Sequence, residues 1–245
     1  DLSMDSHLHS RRISRLWIQG SDVSLLHRLP ADGLAIVGTR APTERTLFHL
    51  RRVLSQVRGH RLVILSGFAR GVDACAHDSA LASDLRTVAF LACGHHVDYP
   101  LENRSLRRRI LESGGLIVSE YSPDTPARRH QFLERNGLLA LFAHAVWVAE
   151  APLQSGAMNT AAHALHLGKK LFATPAFPTD TSYLGNLKLL HQEGVGAPLI
   201  DARSLGAAWS ELISHPQVID SCSLDRADLP PEIQQMVARV RQRTA

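Results

Sequence analysis

Short apolar runs in the middle of the chain repeatedly give way to a glycine, serine or threonine, and then to a helical pattern. Four of these transitions follow the runs Leu34–Val37, Leu62–Leu65, Val88–Leu91 and Val146–Val148. The runs are continuously apolar rather than alternating, as is typical of parallel strands covered by helices on both faces. Repeated strand–helix–strand units with right-handed crossovers therefore predict a doubly wound α/β fold with a mostly parallel sheet of six or seven strands.

Apolar residues at three- and four-residue steps mark the helices between these strands. The predicted helices are Thr43–Arg58, Val72–Ala82, Asn103–Ser113, Glu134–Ala143, Gly156–Leu167 and Gly185–Gln192. Further strands are predicted at Leu116–Ser119 and Lys170–Thr174, with an edge strand at Arg15–Ile18 and a short last strand at Pro198–Ile200. We expect Pro123–His130 to be a polar connection.

The pattern divides the chain into three parts. Residues 1–32 form an N-terminal lead-in, and residues 33–205 form the α/β domain. Residues 206–245 come after the domain. They contain most of one predicted helix, Leu205–Ile213, and all of a second, Pro231–Arg243. The polar first residues lack the basic-then-apolar order of a secretion signal. No apolar stretch approaches the roughly 20 residues that span a bilayer, so we expect no membrane segment.

Composition and charge narrow the choice of partner. The chain has 245 residues, 44% hydrophobic and 20% charged, which suits one large folded domain with short appendages. The net charge is +4, and residues 34–200 carry 18 lysines and arginines against 13 acidic residues. A basic core favours a polyanionic partner, although solubility alone also accounts for this much charge. Three widely spaced cysteines indicate reduced thiols and a cytoplasmic protein.

The loop that follows the first of these strands is the first candidate site. Gly38 allows close backbone approach to a ligand, Thr39 offers a hydroxyl, and Arg40 can form a forked contact with a phosphate. At the start of a helix, unpaired N–H groups and the helix dipole also favour an anion. The loop matches neither a dinucleotide-binding nor a Walker motif, which disfavours NAD binding and ATP hydrolysis.

The two other candidate loops combine small residues with polar ones. Ser66, Gly67 and Arg70 precede a helix that carries Asp73 in its first turn. Ser66, Asp73 and His77 lack a nucleophile-elbow sequence, so nucleophilic catalysis is disfavoured. Ser155 and Gly156 open a later helix, where Ser155 is expected to be the N-cap. The histidines lack zinc-like spacing, so we expect no metal site.

Several ordered motifs make residues 17–205 resemble the DprA/Smf family of DNA-processing proteins. The matching segments are Val37–Arg40, Ser66–His77, Tyr99–Asn103, Gly115–Glu120, Phe132–Asn136, and Glu150–Ala151 with Ser155–Gly156 and Thr160–Ala161. The chain departs from the family pattern at Leu133, Gly137 and Ala176, and at Glu102, where Arg104 is the nearest basic replacement.

The resemblance implies an extended Rossmann-like domain that binds single-stranded DNA through a basic pocket during natural transformation. It further implies a homodimer, help in loading the RecA recombinase, and neither catalysis nor a cofactor. The residues assigned to DNA or phosphate binding are Gly38, Thr39, Arg40, Ser66, Gly67, Arg70, Asn103, Arg104, Arg135, Asn136, Ser155, Gly156, Thr160 and Asn186. The dimer is expected on the outer face of the helices Glu134–Ala143 and Gly156–Leu167.

Two other functions fit the same fold. One is a phosphoribohydrolase of the "lonely guy" type, which needs a glutamate after its glycine-rich loop, whereas Ala161, Ala162 and His163 stand here. The other is a sensor that holds a small signalling nucleotide in the same crevice. Titration with an oligonucleotide and with free nucleotides separates these from a DNA-binding protein.

Overall fold

The computed structural model describes residues 13, 15–57, 61–176, 180–191, 196–201 and 204. Its strands are β1 (Trp17–Gln19), β2 (Gly33–Gly38), β3 (Val63–Ser66), β4 (Arg86–Leu91), β5 (Leu116–Ser119), β6 (Ala145–Glu150), β7 (Lys170–Ala173) and β8 (Gly196–Pro198). Its helices are α1 (Leu25–Asp32), α2 (Glu44–Gln56), α3 (Val72–Ala82), α4 (Arg104–Glu112), α5 (Arg129–Phe142), α6 (Gly156–His166) and α7 (Leu184–His191). Short 3₁₀ turns at Leu101–Asn103 and Thr181–Tyr183 precede α4 and α7.

The strands form one sheet in the order β1-β5-β4-β3-β2-β6-β7-β8. Every neighbouring pair is parallel except β1 and β5, which run antiparallel with Trp17 opposite Ser119. The predicted doubly wound α/β fold is confirmed, with one strand more than expected. β8 lies two residues earlier than its apolar pattern indicated.

Two helices differ from the sequence prediction. α1 was not predicted, because it is short and contains Pro30, yet its Leu25 and Leu29 are fully buried. α5 begins at Arg129, five residues before its first expected residue, because its first turn is polar and lacks the apolar periodicity that marked the rest. The backbone N–H of Arg128 donates to Oε1 of Gln131 at this helix start.

Apolar layers cover both sheet faces. α1, α5 and α6 pack on one face, and α2 and α3 on the other, where the Trp147 ring is fully buried and its Nε1 donates to Thr174 Oγ1 at 2.9 Å. None of the described helices is long and apolar enough to cross a membrane. The predicted helices Leu205–Ile213 and Pro231–Arg243 lie outside the described residues.

The apolar residues of α5 and α6 are used mostly, but not entirely, inside this core. The buried side chains are those of Leu138, Leu139, Phe142, Ala161 and Ala164. Leu141 and Leu165 are partly buried and Leu167 is 41% exposed, so some apolar surface remains and the expected dimer contact stays a prediction.

Candidate functional site

A crevice is expected where the chain changes direction across the sheet, and here that point lies between β2 and β6. From β2 the chain proceeds to β3, β4 and β5 on one side, and from β6 to β7 and β8 on the other. The loops after the two central strands therefore diverge at the carboxyl edge, where open α/β sheets bind ligands. These loops are residues 39–43 and 151–155.

The loop after β2 is anchored through its backbone and presents Arg40 outward. The N–H of Thr39 donates to the Glu150 carbonyl at 2.8 Å, and Thr39 O accepts from Val72 N at 3.2 Å. A Cβ at Gly38 would lie 2.5 Å from Cγ2 of Val72, so only glycine fits there. The exposed guanidinium of Arg40 lies over the Phe132 ring, 5.1 Å from its centroid.

The loop after β3 packs against the loop after β2. Gly71 has φ +76°, and a Cβ there would lie 2.5 Å from Thr39 O and 2.7 Å from the carbonyl carbon of Arg40. Ser66 is buried, and its Oγ donates to Ile36 O at 2.6 Å. Arg70 is exposed and forms an ion pair with Glu102 at 2.6 Å, not with Asp73.

A buried ion pair lies beneath these loops. Arg135 is nearly fully buried, and its Nη1 donates to Phe90 O at 3.2 Å and lies 3.8 Å from Oδ2 of Asp73. Its guanidinium fills the space beside Gly67, where a Cβ would lie 1.4 Å from Nη1. Nε of Arg135 has no hydrogen-bond partner among the described residues. The guanidinium of Arg135 is therefore a buried positive charge that packs against the loop after β3.

Burial and the nearby charges set the ionisation of this pair. Burial raises the pKa of Asp73, while the charge of Arg135 opposes that rise. Burial lowers the pKa of Arg135; Asp73 counteracts this, and the positive charge of Arg40 lowers it further. Two guanidinium groups therefore act on one buried carboxylate, an arrangement that favours the approach of an anion.

His77 and Ser66 are not arranged for nucleophilic catalysis. The hydroxyl of Thr87 donates to Ile64 O at 2.8 Å, so it accepts from Nδ1–H of His77 at 2.7 Å. Burial lowers the pKa of His77 to about 3, and the ring is neutral at pH 7. Since the hydroxyl of Ser66 is also bound to a main-chain carbonyl, the two residues serve the fold.

The connection between β4 and α4 completes one side of the crevice. Nδ2 of buried Asn103 donates to Phe68 O at 2.9 Å and to Ala69 O at 3.3 Å, which joins this connection to the loop after β3. Arg104 is exposed and pairs with Asp98 at 3.2 Å. The ring of Tyr99 meets that of Phe132 edge-on, with 5.7 Å between centroids.

The loop after β6 forms the opposite side. Ser155 caps α6, with Oγ accepting from Met158 N at 3.3 Å, and Gly156 is exposed. Nδ2 of Asn136 donates to Gly156 O at 3.1 Å. The hydroxyl of Thr160 donates to the same carbonyl at 3.3 Å, so both buried side chains hold this helix start in place.

Two further buried residues fix the ends of the central strands. Asn186 accepts from Ala151 N at 2.8 Å and donates to three main-chain carbonyls, of Val148, Ala149 and Thr174. Oε2 of Glu150 accepts from both N–H and hydroxyl of Thr43, at 2.9 and 3.0 Å. Oε1 of Glu150 has no partner within the described part of the chain.

The candidate residues therefore fall into two groups. Those at the surface or partly exposed are Gly38, Thr39, Arg40, Arg70, Arg104, Ser155 and Gly156. Those buried and engaged in internal contacts are Ser66, Gly67, Asn103, Arg135, Asn136, Thr160 and Asn186. Sequence reasoning left Phe132, Tyr99 and Glu150 out of the site, although all three stand within the motifs that carried the resemblance.

Comparison with known proteins gives consistent matches. The family model described as DNA recombination-mediator protein A matches residues 9–204. Protein Smf of Synechocystis is 38% identical over 159 residues, which cover 65% of this chain and 40% of that protein. The putative DNA processing protein DprA of Mycobacterium tuberculosis is 37% identical over 185 residues, covering 76% of this chain and 46% of that one. The chain thus spans less than half the length of these relatives.

Solved structures of similar proteins agree with the fold. DprA from Streptococcus pneumoniae superposes with a TM-score of 0.70 at 31% identity, covering 78% of this chain and 65% of that one. DprA from Helicobacter pylori, whose structure concerns its single-stranded DNA binding mode, gives 0.73 at 28% identity, covering 84% and 89%. The molybdenum cofactor carrier protein of Chlamydomonas reinhardtii, at 16% identity and 0.50, shares the fold alone.

Proposed function

This chain belongs to the DNA recombination-mediator protein A family, and from that premise we propose that it binds single-stranded DNA in the crevice between Arg40 and Ser155. The observation that carries the proposal is the exposed Arg40, stacked on Phe132 at the switch point of the sheet. The relative from Helicobacter pylori, which is similar over 84% of this chain, binds single-stranded DNA.

The charges around the crevice support a phosphate ligand. Arg40 and Arg135 lie within electrostatic reach of each other, and both act on the buried carboxylate of Asp73. A phosphate near Arg40 relieves the repulsion between the guanidinium groups, and a forked arginine contact suits its oxygens. The start of α6 adds the main-chain N–H groups of a helix N-terminus and the positive end of the helix dipole.

The shape of the site favours a single strand over a duplex. Its binding groups lie on loops at the carboxyl edge of the sheet, while the helices are packed on the sheet faces. A flexible strand can place its phosphates and bases into such a crevice, whereas a duplex holds them in a fixed helix. Contacts to phosphates carry no sequence information, so we expect little sequence preference.

We assign the protein a binding role rather than a catalytic one. The residues that suggested catalysis, Ser66 and His77, form hydrogen bonds that serve the fold. A phosphoribohydrolase or a nucleotide sensor remains the alternative, and release of free base from a nucleotide monophosphate would favour the former. In a cytoplasmic role in natural transformation, the protein protects an incoming strand and assists RecA loading; homodimer and RecA contact are part of this proposal.

Fluorescence anisotropy with a labelled oligothymidine tests the proposal. The wild type should bind the single strand more tightly than a duplex of equal length, and added salt should weaken binding because counterion release becomes less favourable. Arg40→Ala should lower the affinity and reduce the salt slope by about one unit, as expected for the loss of one phosphate contact.

Arg61→Ala is the matched control. The Arg61 side chain is 74% exposed and precedes β3 at the opposite, amino edge of the sheet, so its removal should leave DNA affinity nearly unchanged. A clear duplex preference, salt-independent binding, or equal effects of the two substitutions would contradict the proposed site.

A further inference from the structure

An exposed aromatic side chain lies on the rim of the proposed DNA site. Tyr99 is 43% exposed, and its ring packs edge-on against Phe132. The Phe132 ring also carries the guanidinium of Arg40. Tyr99 and Arg40 are thus neighbours through one shared ring, one offering an aromatic surface and the other a positive charge.

The segment that carries Tyr99 is firmly supported. Pro100 is buried, and its carbonyl accepts from Asn103 N at 3.1 Å. The side chain of Asn103 in turn binds two carbonyls of the loop after β3. The tyrosine is therefore presented from a fixed position, which reduces the conformational entropy lost when a ligand stacks on it.

The surroundings of Tyr99 combine apolar and basic surface. Leu101, two residues on, is 72% exposed, and the exposed arginines Arg70 and Arg104 pair with Glu102 and Asp98, acids that lie within three residues of Tyr99 in sequence. Both arginines are paired with acids, so the charge beside the ring is partly neutralised. Proteins that bind single-stranded nucleic acids combine exposed aromatic rings, on which bases stack, with basic side chains that contact the backbone.

We propose that Tyr99 stacks on a base of the bound strand, next to the nucleotide whose phosphate meets Arg40. This inference rests on the proposed function and adds a base contact to a site otherwise described by phosphate contacts. Every base has a π-face, so such stacking adds affinity without adding sequence preference. Arg40 and Tyr99 then make separable contributions, one electrostatic and one not.

The test compares Tyr99→Ala with the wild type on two labelled oligonucleotides, one of thymidines and one with the same backbone but abasic sites. On the thymidine strand, Tyr99→Ala should weaken binding by about 5- to 150-fold, the range measured for loss of one base–aromatic stack. On the abasic strand the two proteins should bind equally. The salt slope should not change, because no phosphate contact is lost.

Three further variants keep the test decisive. Tyr99→Phe should retain wild-type affinity, since it keeps the ring. Tyr99→Leu keeps an apolar contact with Phe132 but should still lose binding, which covers the case in which the alanine variant fails to fold. Phe48→Ala removes an aromatic ring that is 66% exposed in α2, and should leave binding unchanged.

The outcomes separate this inference from the proposed function. If the wild type binds the thymidine strand and Tyr99→Ala and Tyr99→Leu both bind it equally well, the stacking contact is wrong while DNA binding stands. An equal loss on both strands also overturns stacking, because the residue then acts through the loop. If the wild type binds no oligonucleotide, the proposed function itself fails.

Discussion

At the scale of single residues, two glycines with positive φ differ in what surrounds them. Gly71, at φ +76°, touches the backbone of Thr39 and Arg40, so it fixes how closely the loops after β2 and β3 approach. Gly168, at φ +65°, has open space around it, because no atom beyond the glycine itself and its two chain neighbours lies within 4 Å of the point that a Cβ would occupy. The first glycine therefore serves both conformation and contact, and the second serves conformation alone.

Gly71→Ala should destabilise the fold and weaken DNA binding. Gly71, with φ +76° and ψ −123°, lies outside the left-handed helical region, so a Cβ there costs at least the about 1–2 kcal/mol of that region, and forced overpacking adds about 1–3 kcal/mol. Gly168→Ala is the matched control, and should cost only the conformational part and leave binding intact. Urea denaturation and anisotropy measure the two effects; equal losses of stability would show that the contact with Thr39 and Arg40 contributes nothing.

His77 makes stability depend on pH. Burial lowers its pKa from 6.5 to about 3, so below about pH 6.5 the unfolded chain binds a proton that the folded chain does not. Stability must therefore fall as the pH drops from 7 towards 3, by up to about 1.4 kcal/mol per pH unit for this residue. The lowered pKa values of His49, His95 and His163 act in the same direction, and the raised pKa of Asp73 acts in the opposite one.

His77→Asn should flatten this dependence, because asparagine keeps a donor near Nδ1 for Thr87 but does not titrate. The measurement is urea denaturation of both proteins at pH 7 and pH 5. The variant should lose less stability between these values than the wild type. An unchanged pH dependence would mean that the ring is not neutral and buried in the folded protein.

At the scale of elements, the N-terminus of α5 is basic, which is unfavourable for a helix dipole. Arg128, Arg129 and His130 are exposed there, and its first turn contains no acidic residue. The positive end of the helix dipole disfavours basic side chains, so this arrangement costs stability. One turn later Phe132 supports Arg40, which places the basic helix start beside the proposed DNA site.

Arg129→Glu should therefore stabilise the protein while weakening DNA binding. A carboxylate in the first turn contributes about 0.3–1 kcal/mol through the helix dipole, whereas a negative charge beside the strand repels its phosphates. Thermal unfolding and anisotropy at low salt check the two signs. Arg108→Glu, at an exposed position of α4, controls for the change in net charge in the binding measurement only, because it also removes the ion pair with Glu112. Weaker stability together with unchanged DNA binding would contradict this account of α5.

At the scale of the whole molecule, the homodimer stays a prediction. On α5 and α6, where the interface is expected, Leu141 and Leu165 are partly buried and Leu167 is 41% exposed, so some apolar surface is left for a partner. Sedimentation equilibrium at micromolar concentration should show a dimer. An oligonucleotide long enough to reach both sites should bind more tightly than a short one, because the second contact becomes intramolecular. A monomer with intact DNA binding would rule out the dimer alone.

Much of the candidate site could be proposed from sequence because its loops lie at strand ends. Gly38, Ser66 and Ser155 follow apolar runs, and the carboxyl ends of parallel strands meet at one edge. The sequence pattern could not distinguish residues that face a ligand from residues that hold the loops in place. Arg135 and Asn186 are polar residues in helices, and only their burial and their hydrogen bonds to carbonyls reveal that they hold the crevice together.

The sequence by itself determined the α/β class, the order of strands and helices from β2 onward, and the loops proposed to bind an anion, because these depend on local periodicity and on small residues at fixed places. Tertiary structure alone decided which side chains reach the surface, since burial depends on residues distant in the chain. The stacking of Arg40 on Phe132 joins residues 92 positions apart, and Tyr99 reaches the same ring from a third segment. No local sequence pattern predicts these ring contacts, because the packing of the helices against the sheet creates them.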